Sequence, residues 1–594
     1  MRAAAPAVIL FLVLVTAQAA NYRRFVDYMI RGTDVEGFCE QCESVLQLLK
    51  NDPQGTLDSA LNACKQTQYF TPRICDEEHR MYAGSVVQII EQLNTSFDQA
   101  CKFLSNGACG APDIDAYKWT VHLDSIQDDA TFHPQHFRHL EQEWKNTHLS
   151  MLHITDTHFD EDYEVGAAAD CNEPICCTKY QPQATDPENF AAPWGYPFGK
   201  ACNVPFRTVE NMLQDIDRSR HVSFGIWTGD ISPHAYINMT DERARRDIQE
   251  TTAVIKRYLG QAKIYPAIGN HDAFPGRLFP QPGVNAAEYS VKPLYEEMWN
   301  LWYEWLPADQ ERIFKYGGYY TAKVHDRLRI IALNTNFCYT YNWWLVLGAN
   351  DPARQLQWMI TTLEEARRYR ERVFIIGHIP PGSSACNSYW EEAYFKIVTK
   401  FQHTITGQFF AHMHTDEVIL DYSDPMDKEK PTSVLYVTPA VTTSWSGMPE
   451  YRIYQTELGE VVDIETYFLN LTTANAGYFK IRESVHEKVR EDFKDMSPFR
   501  RRAMEKVLYG VPHWELGYSA RKSYGLKKFD AAHWHQLIKA FDTDDNLLQT
   551  FYKHYRQFRE NVVRLEKPCD EACKKKLIAN MTSKRSTRAR ELQR

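Results

Sequence analysis

The sequence predicts an α+β multidomain chain. A small all-α module held by disulfides comes first, then an α/β domain of buried strands, then a helical C-terminal region. Three observations carry this expectation. Six of the 14 cysteines fall between residues 39 and 109, among apolar positions at helical spacing. Five short apolar runs between residues 150 and 410 each lead into Asp, Asn or His. Past residue 467, charged residues surround apolar positions that again recur at helical spacing. At roughly 150 residues per domain, 594 residues suggest two to four domains. With 44% hydrophobic and 24% charged residues, disordered, collagen-like and coiled-coil classes are excluded. A net charge of −10 disfavours nucleic acid, which needs a basic face.

Residues 1–20 read as a secretory signal peptide. Arg2 supplies a positive start, Val8–Val15 an apolar run too short to span a bilayer, and Ala17-Gln18-Ala19 a cleavage site. No later stretch reaches 18 consecutive apolar residues, so no transmembrane segment is expected. The ending Glu591-Leu592-Gln593-Arg594 is neither an ER-retention signal nor a lipid-anchor tail. The expected location is secreted and/or lysosomal (extracellular space or endolysosome), and the expected state is a monomer. Sequons at Asn94, Asn238, Asn470 and Asn580 fit a glycoprotein. In an oxidising compartment, an even number of cysteines reads first as disulfides and second as metal ligands.

The module at 35–113 carries Cys39, Cys42, Cys64, Cys75, Cys101 and Cys109 in the pattern C-x2-C-x21-C-x10-C-x25-C-x7-C. Val45, Leu46, Leu48 and Leu49 lie near one helical stripe, as do Val86, Val87, Ile89 and Ile90. So small a domain has a thin core, and cross-links stabilise it by restricting the unfolded chain. Six cysteines allow fifteen pairings, and spacing alone does not choose among them. The set resembles saposin B-type domains, which implies the pairs 39–109, 42–101 and 64–75. Such a module either presents an apolar face to lipid or packs as a stapled bundle on its neighbour. Residues 114–146, with Pro134 and little sustained periodicity, read as a linker.

The chemistry lies in the domain at 147–466. Ser150–Thr155 leads into Asp156-Thr157-His158, and Val222–Trp227 into Gly229-Asp230, with His234 four residues on. Lys263–Ile268 leads into Gly269-Asn270-His271-Asp272, Val373–Ile376 into Gly377-His378, and Gln408–Phe410 into His412-Met413-His414. Apolar runs of this length, alternating with helical stretches, read as buried strands. Functional groups in such folds gather beyond the strands' carboxyl ends. Each fragment alone has a plain explanation as a turn or a strand end. The ordered set D-x-H, G-D, G-N-H-D, G-H, H-x-H is specific, and it delivers a dinuclear metal site.

That set resembles the calcineurin-like metallophosphoesterases, which implies a β-sandwich flanked by helices. Carried over position by position, Asp156, His158 and His414 match the ligands of one metal, and Asn270, His378 and His412 those of the other. Asp230 matches the carboxylate that bridges both. A carboxylate bridge holds two dications about 3.5–4 Å apart, and the water between them becomes a hydroxide nucleophile near neutral pH. No cysteine lies in the motifs, so the donors are N and O; these suit zinc and would also admit manganese or iron. The closer resemblance implies two Zn2+ ions per chain. Ala411 stands where the family usually has glycine, which is tolerable at φ < 0. By the same resemblance His271 stabilises the phosphoryl oxygens or protonates the leaving alkoxide, and His234 is a second proton donor. Both have the alternative of hydrogen-bonding behind the site. His325 and His403 read as packing or surface residues.

A saposin-type module joined to this domain resembles the acid sphingomyelinase family. Asn336-Phe337-Cys338, Ile375-Ile376-Gly377-His378-Ile379-Pro380-Pro381-Gly382 and Tyr451-Arg452-Ile453-Tyr454-Gln455 match it. The resemblance implies the further pairs Cys171–Cys176, Cys177–Cys202, Cys338–Cys386 and Cys569–Cys573. A zinc ribbon at Cys171, Cys176, Cys177 and Cys202 has the wrong spacing. The implied reaction is hydrolysis of sphingomyelin to ceramide and phosphocholine at a peripheral membrane lipid surface. A phosphodiesterase of the same fold acting on soluble or nucleotide diesters is one alternative. A lipid-binding protein with an inactive hydrolase domain is the other.

Tyr339, Tyr341, Trp343 and Trp344 are candidates for a choline pocket or for membrane contact, with a buried cluster equally open. Trp299, Trp302 and Trp305 read as a core stripe. Within the region 467–594, Val485, Val489, Phe493 and Met496 mark a helical face, read as that of a solvated surface helix. The basic tail after Cys573 reads as a disordered end.

Overall fold

The structure, a computed structural model, describes residues 35–66, 70–123, 148–185, 189–196, 201–424, 427–476, 508–558 and 568–583, with 126, 496 and 504. The expected signal peptide, most of the linker, the positions Val485, Val489 and Phe493, and the tail from Lys584 lie outside these residues.

Four helices form the first module: α1 (Val35–Asn51), α2 (Pro53–Gln66), α3 (Pro72–Gln92) and α4 (Phe97–Leu104). Thr71 caps α3, accepting from Ile74 N with Pro72 in the first turn, and Ser96 caps α4, accepting from Gln99 N. Phe38, Val45, Leu49, Leu57, Ile74, Val86 and Ile90 fill a core closed by Cys39–Cys109, Cys42–Cys101 and Cys64–Cys75. That core continues into Tyr236, Met239, Leu278, Trp344, Leu345 and Val346, so the module packs its apolar side onto the next domain. Polar contacts fix the docking: Arg73 spans both oxygens of Glu173 at 2.7 and 2.8 Å, and Arg80 donates to the Met239 carbonyl at 2.8 Å.

The second domain holds two six-stranded sheets. The first runs β12-β11-β10-β1-β2-β3, with β1 (His148–Ile154), β2 (Phe224–Trp227) and β3 (Lys263–Pro266) parallel. β10 (Glu450–Glu457), β11 (Glu460–Phe468) and β12 (Glu515–Ser519) continue it antiparallel. The second sheet runs β4-β5-β6-β7-β9-β8. In it β5 (Leu328–Ala332), β6 (Arg372–Ile376) and β7 (Ile405–Phe410) are parallel, flanked by β4 (Tyr320–His325), β8 (Glu417–Asp424) and β9 (Asp427–Val437). The five apolar runs therefore divide between two sheets, three in one and two in the other.

Strand period two decides the packing. Ile330, Phe374, Ile376 and Phe409 share a core with Ile226, Ile264 and Ile453 of the first sheet. Their neighbours Ile331, Val373, Ile375 and Phe410 turn to helices α8 (Gln355–Arg368) and α9 (Ser388–Lys400). On the first sheet, Val209 and Leu213 of α5 (Phe206–Ser219) and Ile248 and Ile255 of α6 (Asp241–Leu259) join the core. Trp299 and Trp302 of α7 (Lys292–Trp302), with Trp305, are buried as expected for a core stripe.

The C-terminal region is not helix alone. β12 pairs with β11, satisfying backbone groups that an edge would leave open. Helices α10 (Ala531–Ala540), α11 (Asp545–Tyr555) and α12 (Glu571–Asn580) follow, and Tyr518 of β12 donates to Asp416 at 2.5 Å.

Asp351 precedes α8 and accepts from Leu356 N at 2.8 Å and Gln357 N at 3.0 Å. Burial pushes its carboxyl up to about 6. The unfolded chain releases that proton near ~3.9, so between about pH 4 and 6 the native state binds more protons. This group therefore stabilises the fold in acid, and the contribution is lost as pH rises through about 6. Calorimetry of Asp351→Asn is expected to show a weaker dependence of Tm on pH across that window. An unchanged dependence would contradict it.

Candidate metal centre

The carboxyl ends of β1, β2, β3, β6 and β7 meet at one rim of the sandwich, and the loops leaving them carry the seven sequence-predicted ligands. These loops are tightly bent. Asp156, His158, Asp230, His412 and His414 have φ of 48°, 36°, 54°, 68° and 51°, in the left-handed region. Such conformations cost about 1–3 kcal/mol each and persist where surrounding structure imposes them. Two glycines allow the closest approach: a Cβ on Gly269 would lie 2.2 Å from Asp230 Oδ1, and one on Gly229 2.2 Å from Gly269 N. Ala411 is buried, is not among the positive-φ residues, and donates its N–H to the His378 carbonyl at 2.8 Å.

The donor atoms converge in overlapping groups. Those of Asp156, His158 and Asp230 lie within 4.8 Å of one another, as do those of Asp230, His378 and His412. Asp230 belongs to both groups, the position a bridging carboxylate requires. His158, His234 and His414 form a third such group. Asn270 is buried, and neither side-chain polar atom has a hydrogen-bond partner.

Backbone carbonyls set the imidazole tautomers. Nδ1–H of His158 donates to Ser232 O at 2.7 Å, that of His378 to Thr228 O at 2.7 Å, and that of His414 to Ser444 O at 3.0 Å. Each ring thereby turns Nε2, as a lone pair, to the carboxylates. His158 Nε2 lies 3.3 Å and His378 Nε2 3.1 Å from Asp230 Oδ2, and His414 Nε2 3.1 Å from Asp156 Oδ1. Buried nitrogens and amide atoms without hydrogen-bond partners, facing carboxylates, fit dications.

The electrostatics agree. Burial alone would depress His158, yet Asp156 and Asp230 pull it up to about 9; His378 is raised to about 9 by the same pair. Burial would raise Asp156, but His378 and His414 hold it below the usual carboxylate range. A field that draws a proton onto these imidazoles equally draws a cation.

His271 and His234 stand beside this group. Their rings are 4.6 Å apart, and His158 is 5.1 Å from His271 and 3.7 Å from His234. His271 donates its backbone N–H to Asp230 Oδ1 at 2.8 Å. Loss of hydration pushes both rings well below the ordinary imidazole value; neighbouring imidazoles add to this for His234, and Arg277 adds for His271 against the pull of Asp230. An anionic phosphodiester in contact would act to raise both.

Four residues that support the group were given no role by the sequence alone. Asp272 accepts from Ile231 N at 2.8 Å and Gly269 N at 2.7 Å, tying the β2 and β3 loops; burial and the Asp230 charge raise it to about 6. Thr335 Oγ1 accepts from His378 N and Ile379 N, while Asn336 Nδ2 donates to the Ile268 and Gly269 carbonyls. Asn203 contacts His234. Asp272 stands within G-N-H-D and Asn336 within Asn336-Phe337-Cys338; Thr335 and Asn203 carry no motif.

Tyr339 lies 5.3 Å from His412, so it borders the site. Trp344 is fully buried, and Trp343 packs 6.2 Å from Tyr82 of α3, within the contact between the domains. His325 and His403 are exposed and belong to none of the donor groups. The disulfides of the second domain and C-terminal region are Cys171–Cys176, Cys177–Cys202, Cys338–Cys386 and Cys569–Cys573. Asn94 and Asn238 are exposed, whereas Asn470 and Asn580 are half-buried.

The calcineurin-like phosphoesterase family profile matches residues 149–416, the span that holds the whole group. Human sphingomyelin phosphodiesterase is 32% identical over 538 residues, covering 89% of this chain and 77% of that protein. Sphingomyelin phosphodiesterase B of Dictyostelium discoideum is 30% identical over 452 residues, 73% of this chain and 63% of that protein. A cyclic GMP-AMP phosphodiesterase of Bos taurus is 30% identical over 426 residues, 68% of this chain and 82% of that protein. By its match to the human enzyme and to the phosphoesterase profile, the chain belongs to the sphingomyelin phosphodiesterase family of calcineurin-like phosphoesterases.

Proposed function

We propose that this chain is a zinc-dependent sphingomyelin phosphodiesterase, releasing ceramide and phosphocholine. The observation that carries the reading is the pair of overlapping donor groups sharing Asp230. Asp156, His158 and His414 would hold one ion, Asn270, His378 and His412 the other, and Asp230 both. All 14 cysteines are in disulfides, so the donors are N and O, which suits Zn2+. When bound, the two ions supply Lewis acidity and a hydroxide for in-line attack on phosphorus.

The chain's own residues do the rest. His271, fixed through its N–H on Asp230, faces the phosphoryl oxygens, and His234 offers a proton to the departing alkoxide. Asp272 keeps their two loops in register. Tyr339 supplies an aromatic wall beside His412, of the kind that suits a quaternary ammonium.

A second reading, hydrolysis of soluble nucleotide diesters, is favoured by the likeness to the bovine cyclic GMP-AMP phosphodiesterase. The disulfide-bonded helical module docked beside the site favours a lipid substrate instead. Among the described residues no helix is long and apolar enough to cross a membrane. Seven disulfides suit a secreted or endolysosomal compartment, with the chain meeting lipid peripherally as a glycosylated monomer. The test is turnover by zinc-loaded protein of sphingomyelin vesicles and of a cyclic dinucleotide, at about pH 5 and pH 7. Higher kcat/KM on the vesicles is expected. A preference for the dinucleotide would establish the second reading, and no metal-dependent turnover of either would overturn both.

A further inference from the structure

What fixes the His234 ring lies outside the metal motifs. Its Nδ1 donates to Asn203 Oδ1 at 2.9 Å, and Ser444 Oγ donates to the same oxygen at 2.9 Å. Asn203 Nδ2 donates to Asp160 Oδ2 at 3.2 Å. The other oxygen of Asp160 accepts from Arg243 Nη2 at 2.8 Å, while Arg243 Nη1 reaches Asp162 at 2.6 Å. Asn203, Asp160 and Arg243 are 1%, 3% and 5% exposed, so water does not compete for these bonds.

The chain of bonds has one direction. A guanidinium only donates and an ionised carboxylate only accepts. Asp160, fixed by Arg243, must receive the amide NH2 of Asn203. The amide carbonyl is then left for His234, which must present Nδ1–H to it. Both the amide orientation and the imidazole tautomer follow from the buried Asp160–Arg243 pair. The ring's Nε2 is left for the reaction space, where His271 and Trp445 lie 4.6 and 4.8 Å from His234 between ring centres.

The frame around Asn203 is anchored on both sides. Cys202 is joined to Cys177, and its carbonyl accepts from Thr443 Oγ1 at 2.8 Å. Asp160 N donates to the Val204 carbonyl at 2.9 Å. Ser444, whose carbonyl accepts from His414, connects the chain to a ligand loop.

We propose that Asn203 is a positioning residue for His234, given its direction by the Asp160–Arg243 pair, so that proton transfer to the leaving group runs through Nε2. In that step the imidazolium, which takes its second proton from solvent when the anionic diester binds, gives it up: the Nε2–H bond breaks and an O–H bond forms on the alkoxide as its P–O bond breaks, leaving the neutral ring with its proton on Nδ1. The inference rests on the proton-donor role proposed for His234.

The test is a double-mutant cycle of Asn203→Leu and His234→Ala in the zinc-loaded full chain. Two substrates are compared: short-chain sphingomyelin, whose leaving group is an alkoxide, and bis(4-nitrophenyl) phosphate, whose leaving group needs no proton. Asn203→Leu is expected to lower kcat on sphingomyelin about 10–100-fold, with KM and bound metal unchanged. The nitrophenyl diester should keep its rate, and adding Asn203→Leu to His234→Ala should cost nothing further. The exchange Asn203→Asp with Asp160→Asn restores every donor and acceptor and should recover kcat, where Asn203→Asp alone sets two carboxylates together and loses it. That comparison serves alone if Asn203→Leu does not fold.

Additive losses, or equal losses on both leaving groups, overturn the positioning role. An unchanged kcat in His234→Ala overturns the donor role and the inference with it. If only nucleotide diesters are turned over, the substrate proposal fails, and the same cycle on their alkoxide leaving group decides the inference.

Discussion

Asp230→Asn is expected to lower kcat/KM by about 10³-fold or more and to reduce bound metal in the same preparation. The substitution conserves shape but removes the charge that both donor groups share. Asp230 Oδ2 lies 3.3 Å from His158 Nε2 and 3.1 Å from His378 Nε2, and Oδ1 accepts the His271 N–H. An amide offers one neutral oxygen where two anionic ones are needed, so one ion loses its bridge and the loop carrying His271 loses a charge-assisted bond. The loss converts to about 4 kcal/mol of transition-state stabilisation, of the size a Lewis-acidic ion supplies. Kinetics together with elemental analysis check this. Parent-like activity with a full metal complement would remove Asp230 from the bridging position.

His271→Ala is expected to behave differently: kcat falls about 10²–10⁴-fold while bound metal stays near the parent level. The His271 side chain is in none of the donor groups around Asp156 and Asp230, yet its ring is 5.1 Å from His158 and 4.6 Å from His234. Only its backbone N–H holds Asp230, and alanine keeps that bond. Loss of metal with unchanged activity per loaded enzyme would instead make the ring a support for the centre.

The parts legible in the sequence were those whose signal is local. An apolar run of four to six residues followed by Asp, Asn or His reports a buried strand and the loop beyond its carboxyl end, and five such endings in order sufficed to assemble the site. The division of those runs between two sheets was not local. β6 and β7 look alike in sequence to β1, and only pairing partners separate them.

The supports behind the ligands were still less visible. Thr335 and Asn336 hold loops 43 and 67–68 residues away through backbone groups, which leave no pattern in the side chains. Asn203 and Asp160 look like ordinary polar loop residues until Arg243, 83 residues from Asp160 on α6, gives their hydrogen bonds a direction. Trp343 and Trp344 show a related limit. Composition cannot say whether aromatic rings meet choline, lipid or another domain; here they meet α3 of the first module. β12 went unread because Glu515–Ser519 lacks apolar alternation and takes its order from the open edge of β11.

One dinuclear centre, built from these seven residues, is expected to carry phosphodiester hydrolysis. Its most direct test is titration of the chelated full chain with zinc while phosphocholine release from sphingomyelin vesicles is followed. No turnover without metal, and saturation at about two equivalents per chain, are expected. Turnover by the metal-free protein, or saturation at a single equivalent, would contradict it.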